Sequence, residues 1–178
     1  TYNAAGGAYS IQNNTTGSYN TGFGYGTLAD NTTGYSNTAV GYHAASNITT
    51  AWGCTIIGNN AGLTITTGQD NTVVGHSAAY DLTTDNVVLG VSAGGDLTTG
   101  SRNVIAGVNA ARYTTTGNNN VVFGINAASN LSTGTSNVCI GQNAANYVTA
   151  FTTNTESIII GSHAYPSGTG NNDEIVMG

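Results

Sequence analysis

Short runs of apolar residues recur along the chain and are separated by polar stretches rich in Thr, Asn and Gly. Three such runs are Val87-Val88-Leu89, Val121-Val122-Phe123 and Ile158-Ile159-Ile160, and a glycine follows each of them. Short β-branched runs bounded by turn formers predict strands. The glycine recurs, mostly at 17-residue steps, at Gly7, Gly24, Gly41, Gly58, Gly75, Gly90, Gly107, Gly124, Gly141, Gly161 and Gly178. We therefore predict an all-β solenoid of about eleven coils with a 17-residue repeat, forming one domain over residues 1–178.

Other positions, counted from this repeat glycine, are also periodic. Position +3 holds a small residue, and position −4 often holds asparagine, at Asn20, Asn37, Asn71, Asn86, Asn103, Asn120 and Asn137. Position +7 is mostly aliphatic, at Ile48, Ile65, Leu82, Leu97, Leu131 and Val148, and a Thr-Thr-Gly sequence usually follows. We expect the glycine at a corner that needs positive φ or close backbone approach, the asparagines in a ladder of stacked amides, and Thr-Thr-Gly in the turn that closes the coil.

Two steps depart from 17 residues. The step from Gly75 to Gly90 has 15 residues and is shortened between Thr84 and Asn86, whereas the step from Gly141 to Gly161 has 20 and carries extra residues around 149–155. Stacked coils tolerate such changes at one corner, and we expect both to lie in turns.

Side chains of a strand alternate between two faces, so an unbroken apolar run implies that both faces are buried. A single solenoid buries only its inward face. The outward apolar residues therefore predict self-association, most economically as a homotrimer around an axis parallel to the solenoid. Position −3 changes from threonine (Thr21 to Thr72) to Val or Ile (Val87 to Ile175), which indicates either a drier C-terminal half or drift between similar shapes.

The composition excludes several classes of function. Only 6% of the residues are charged, lysine is absent and the net charge is −6, which argues against nucleic acid as a partner. The 39% hydrophobic content argues against disorder, and no stretch is long enough to be inserted in a membrane. Because the chain opens in mid-repeat, we expect it to be a segment of a longer fibre protein.

The sequence Asn37-Thr38-Ala39-Val40-Gly41-Tyr42, with Ala44 and a later Thr-Thr-Gly, resembles the head repeats of phage tail-fibre proteins. It is also similar to the β-roll heads of trimeric autotransporter adhesins, although a 17-residue repeat is longer than theirs. The end of the chain, 171–178, resembles the approach to a tail-fibre chaperone domain. The resemblance implies a homotrimer without a cofactor, part of an extracellular virion tail fibre that attaches to a glycan or receptor of the host cell. The alternative is a bacterial adhesin head.

Residues with reactive side chains do not form a recognisable site. His43, His76 and His163 occupy two different repeat positions on separate coils, so we expect no metal site. Cys54 and Cys139 lie five coils apart, about 24 Å, which is too far for a disulfide. No nucleophile and base recur with usable spacing, so we expect no enzyme, although a cleft between subunits is left open as a depolymerase site.

Aromatic residues are the predicted ligand contacts. They crowd the N-terminal third, where they can stack against sugar rings or form ladders and pack between subunits: Tyr19, Tyr25, Tyr35, Tyr42 and Trp52. A further alternative is an ice-binding solenoid with an array of hydroxyl groups. That array would consist of Thr49, Thr66, Thr83, Thr98 and Thr115.

Overall fold

The computed structural model describes residues 2–146, 152–168 and 173–178. These residues form eleven three-residue strands in one parallel sheet, ordered as in the chain. The strands are β1 Ala4–Gly6, β2 Thr21–Phe23, β3 Thr38–Val40, β4 Thr55–Ile57, β5 Thr72–Val74, β6 Val87–Leu89, β7 Val104–Ala106, β8 Val121–Phe123, β9 Val138–Ile140, β10 Ile158–Ile160 and β11 Ile175–Met177. The predicted all-β solenoid is confirmed, with about ten turns.

The strands stay in register across both irregular steps. Thr72 of β5 pairs with Val87 of β6, and Val138 of β9 pairs with Ile158 of β10. The two missing and three extra residues therefore lie in the segments that connect the strands, as predicted. Val148 and residues 149–151 of the longer step, with residues 171 and 172 near the end, lie outside the described residues.

The repeat glycine has the predicted conformation. From Gly7 to Gly161, φ of this glycine lies between 121° and 148°, a region that side chains rarely allow. A Cβ atom on Gly41 would stand 2.4 Å from the carbonyl oxygen of Gly58, one coil further along. Both the backbone angle and the close approach of consecutive coils therefore require glycine.

The interior of the coil is filled from three sides. The middle residue of each strand points inward, as Ile56, Val88 and Val122 show, and all three are fully buried. The alanines at position +3 are buried throughout, as are the described aliphatic residues at position +7. The predicted small and aliphatic columns are thus both confirmed as core.

The asparagines at position −4 form the predicted ladder. The Nδ2 amide of Asn103 donates to Oδ1 of Asn86 at 3.1 Å and to the carbonyl oxygen of Gly117 at 2.9 Å. Its own Oδ1 accepts the backbone N–H of Asn120 at 3.0 Å and its Nδ2–H at 3.1 Å. The ladder satisfies polar groups in a buried interior, and it is interrupted where Cys54 takes the asparagine position.

Non-glycine residues also adopt positive φ in three columns, which the sequence did not predict. Position +2 includes His43 and Asn126, position +4 includes Ala45 and Ala128, and position −5 includes Asp70. A left-handed alanine has an unfavourable local conformation. The backbone bonds between coils hold it there, for example the Ala45 N–H to the Ala61 carbonyl at 3.0 Å.

Candidate functional site

The outward face of the sheet carries an apolar row that nothing covers in the single chain. In β2 to β10 the middle residue is buried, while the third residue lies on the opposite face. Most third residues are large, apolar and between 37% and 51% exposed: Phe23, Val40, Ile57, Val74, Leu89, Phe123 and Ile140. Both faces of the strands are therefore apolar, as the sequence indicates, but only one is buried within the chain.

The residue after the repeat glycine widens this row. Position +1 is exposed and apolar at Tyr25, Tyr42, Val91, Val108 and Ile125. The apolar character of position +1 is not evident as a sequence period, because the same position is polar in other coils, such as Asn59 and Gln142. We call positions −3, −1 and +1 of the coils together the outward sheet face.

Acidic residues and arginines are absent from the outward sheet face, which holds one histidine, His76, at position +1. All eight acidic residues and both arginines lie elsewhere, either at positions −5 and −4 before the strands or at positions +5 and +6 on the far side of the coil. A solvated sheet face normally carries polar or charged side chains, in particular lysine. The outward sheet face thus has the composition of a surface that is buried in an assembly.

The change from Thr to Val at position −3 is not accompanied by a change in burial. The residues of this position from Thr21 to Ile158 are partly buried in both halves of the sheet. The single chain therefore gives no evidence of a drier C-terminal half, and the difference lies in the chemistry of the side chains.

The aromatic residues form stacks along the solenoid. Tyr25 and Tyr42 are stacked with ring centres 5.4 Å apart and planes 12° from parallel. The ring of Tyr9 meets Tyr25 edge-on, and the imidazole of His43 does the same to both Tyr25 and Tyr42. The predicted pair is confirmed as a ladder one coil apart, immediately after the strands.

A second group lies immediately before the strands. Tyr35 and Trp52 are stacked at 5.8 Å with an interplanar angle of 6°. Tyr19 is stacked on Tyr2 at 5.3 Å, in the neighbouring repeat position. The structure therefore divides the five predicted ligand contacts among three stacks.

Stacking limits how these rings can receive a sugar. Within a stack, the inner face of each ring is covered by the next ring, so a sugar can lie only on the outer faces of the end rings or against ring edges. All of these aromatics remain at least partly exposed, with Tyr19 at 60% and Tyr42 at 50%. The aromatic ladders, which compete with sugar binding, are therefore present. In the single chain, end rings such as Tyr42 and Trp52 keep exposed edges that a ligand could contact.

The threonine column uses its hydroxyl groups within the solenoid. The Oγ1 hydroxyl of Thr49 donates to the carbonyl of Thr66 at 3.2 Å, and that of Thr98 donates to the carbonyl of Thr115 at 3.1 Å. Thr115 donates to the carbonyl of Ser132 in the same way, and Thr83 donates to the carbonyl of Gly100. Because these protons are engaged between coils, they do not form a free donor array, which weighs against the ice-binding alternative.

The remaining chemical candidates stay apart. The structure does not bring His43, His76 and His163 together, and the described residues contain no group of three His, Cys, Asp or Glu able to hold a metal. Cys54 and Cys139 are both buried and free. Burial raises the pKa of Cys54, and it raises the pKa of Cys139 to about 12, which is typical of inert structural thiols.

The described ranges contain strands, turns and bends, and they include no helix that is long and apolar enough to cross a membrane. Comparison with protein-family models, with curated proteins and with solved structures gives no match to this chain.

Proposed function

We propose that this chain is a structural segment of a homotrimeric extracellular fibre, of the phage tail-fibre type, which holds a surface for attachment to a host-cell glycan. The observation that carries the proposal is the outward sheet face, which is largely apolar, holds no acidic residue or arginine, and exposes a large apolar side chain on most coils. Covering it would remove the largest repeated apolar surface of the chain from water. A non-catalytic fibre without cofactor is the role that this arrangement supports.

Three copies around an axis parallel to the solenoid suit a fibre. Identical outward sheet faces meet at the axis, and all chains run in the same direction, so that the assembly keeps one polarity along its length. The charged positions at +5 and +6 then face outward, where they favour solubility. The stack of Tyr35 and Trp52 lies beside the sheet face and stays exposed in this arrangement, so Trp52 is the proposed glycan contact, whereas Tyr25 and Tyr42 lie on the sheet face itself.

The mass of the folded protein in solution tests the assembly. Light scattering should give three times the 17.9 kDa chain mass. Phe123→Asp combined with Ile140→Asp should reduce the mass to that of one chain, because each change places a charge in the apolar interface. The matched control Thr116→Asp adds a charge to an exposed turn and should leave the trimer intact. A monomeric or dimeric wild-type protein would refute the trimer.

A glycan array tests the attachment role. The trimer should bind a subset of host-surface glycans, and Trp52→Ala should weaken that binding at unchanged mass. If no glycan and no bacterial surface retains the protein, the attachment role is wrong, whatever its mass. The bacterial adhesin head would have the same architecture, and the sequences flanking this segment in its gene distinguish the two.

A further inference from the structure

The coil between Gly75 and Gly90, which is shortened to 15 residues, lines a groove that lies apart from the aromatic stacks. The groove has a volume of about 620 Å³ and spans three consecutive coils, with Tyr80 at one end, Gly95 in the middle and Arg112 at the other end. Asp81 and Asp96 line it beside this row. Its size lies within the range of small-ligand clefts, roughly 300–1,000 Å³. We call it the Tyr80 groove.

Gly95 opens the groove, although the fold does not require glycine there. Its φ is not in the left-handed region, and a Cβ atom would meet nothing closer than 3.4 Å. By contrast, a Cβ atom on Gly107 would stand 2.3 Å from the Gly124 carbonyl oxygen. Tyr80, Gly95 and Arg112 occupy the same position, +5, of successive coils, so any larger residue at 95 would stand between the two side chains.

The lining combines a ring, two acceptors and a cation. Asp81 and Asp96 share position +6 of neighbouring coils, about 4.8 Å apart along the solenoid. Partial burial raises the pKa of Asp81, as expected for a carboxyl group set into a groove. The guanidinium of Arg112 lies 5.4 Å from the ring centre of Tyr113 and 3.4 Å from Oδ1 of Asn109. It is thereby held beside the groove without a carboxylate partner among the described residues.

We propose that the Tyr80 groove binds a saccharide, which deepens and rests on the proposed attachment function. Carboxylates one coil apart can accept adjacent hydroxyl protons, the Arg112 guanidinium can donate to ring or hydroxyl oxygens, and Tyr80 supplies an apolar ring. The single arginine disfavours a bare cation as ligand, and the nearly balanced charge favours a neutral sugar. The groove is lined by positions +2 to +8; its edge at Ser77 and Ser92 adjoins the outward sheet face, while the side chains that would hold the sugar, at +5 and +6, point away from the proposed trimer axis.

Saturation-transfer NMR tests this with the whole chain and a panel of methyl glycosides of glucose, galactose, mannose, rhamnose and N-acetylglucosamine. At least one should give a signal that Gly95→Leu abolishes by filling the groove. Asp96→Asn should weaken binding about tenfold or more, because it removes a charged acceptor. Tyr80→Ala should also weaken binding, and this variant tests the groove if Gly95→Leu does not fold.

The matched control is Asp30→Asn. Asp30 occupies the same position, +6, but lies outside the groove, and its carboxylate accepts from Asn13 Nδ2 at 3.0 Å. This variant should bind the sugars unchanged. The proposal fails if no glycoside binds, if Ca²⁺ alone stabilises the wild type but not Asp96→Asn, or if Trp52→Ala abolishes the signal while Gly95→Leu keeps it.

These outcomes separate the groove from the fibre. Sugar binding that Gly95→Leu removes, in a protein with the mass of one chain, supports the groove and refutes the trimer. A trimer whose glycan binding depends on Trp52 and not on Gly95 supports the fibre and refutes the groove.

Discussion

Neighbouring residues on the two faces of one strand have opposite environments. In β8, Val122 is fully buried inside the coil, whereas Phe123 beside it is 43% exposed. The inner face has its partners within the chain, from alanines, aliphatic residues and the amide ladder. The outer face is also largely apolar, but no described segment of the chain covers it. The inner face therefore specifies the fold, and the outer face is the surface through which we propose that the fold assembles.

The strongest test of the inner architecture is the repeat glycine. Gly124→Ala should lower the free energy of unfolding by about 4 kcal/mol or more, because φ is 137° and the new Cβ would lie 2.4 Å from the Gly141 carbonyl oxygen. Urea denaturation followed by circular dichroism measures the loss. Gly95→Ala is the matched control and should change stability by less than about 1 kcal/mol. Equal losses in both would show that the repeat glycine is not needed for stacking.

The amide ladder should come next in magnitude. Asn103→Leu keeps a similar volume but removes the acceptor of two Asn120 donors and the donor to Gly117, all buried. We expect a loss of about 2–3 kcal/mol in the same denaturation experiment, because the partners remain without bonds. Asn130→Leu is the control, since its amide makes one 3.4 Å bond in a partly exposed site and should cost much less. Similar losses would contradict a special role for the ladder.

These two columns also show how much of the fold the sequence predicts. The glycine period and the asparagine column are each enforced by one local requirement, backbone approach or amide pairing, so their spacing is visible in the sequence. The left-handed alanines such as Ala45 and Ala128 are not predictable in that way, because alanine does not favour this conformation and contacts between coils impose it. The same holds for the Tyr80 groove, which depends on Tyr80, Gly95 and Arg112 being adjacent in space.

The interruption of the ladder at Cys54 offers a gain in stability. Asn37 Oδ1 already accepts the Cys54 backbone N–H at 3.0 Å, and the Cys54 thiol lies 3.3 Å from the Gly68 carbonyl oxygen. Cys54→Asn would restore an amide that bonds to both and would supply an acceptor to Asn71. Thermal and urea unfolding should show an increase of about 1 kcal/mol. Cys54→Ser, which cannot span the ladder, should not show it, and an equal effect of the two changes would refute this explanation.

The reactivity of thiols in β9 compares the two faces most directly. It should also require the smallest change in stability. Cys139 points inward, and burial raises its pKa to about 12, whereas Ile140 is 38% exposed on the outward sheet face. In a Cys54→Ser background, Cys139 should hardly react with iodoacetamide at pH 8, because the thiolate is the reactive form. Cys139 should react appreciably only as the pH approaches its raised pKa of about 12 or as the coil unfolds, because the folded protein keeps the thiol protonated and out of reach of the reagent.

A cysteine placed on the outer face should behave differently. Ile140→Cys should have an ordinary thiol pKa of about 8.5 when the face is free, so its rate should level off above that pH. In the proposed trimer the same thiol is covered, and its alkylation should be slow at high protein concentration and faster on dilution into monomers. Thr133→Cys, in an exposed turn, should react quickly at every concentration. If the Ile140→Cys thiol reacts as quickly as the Thr133→Cys thiol in samples with trimeric mass, the chains meet through a surface other than the outward sheet face.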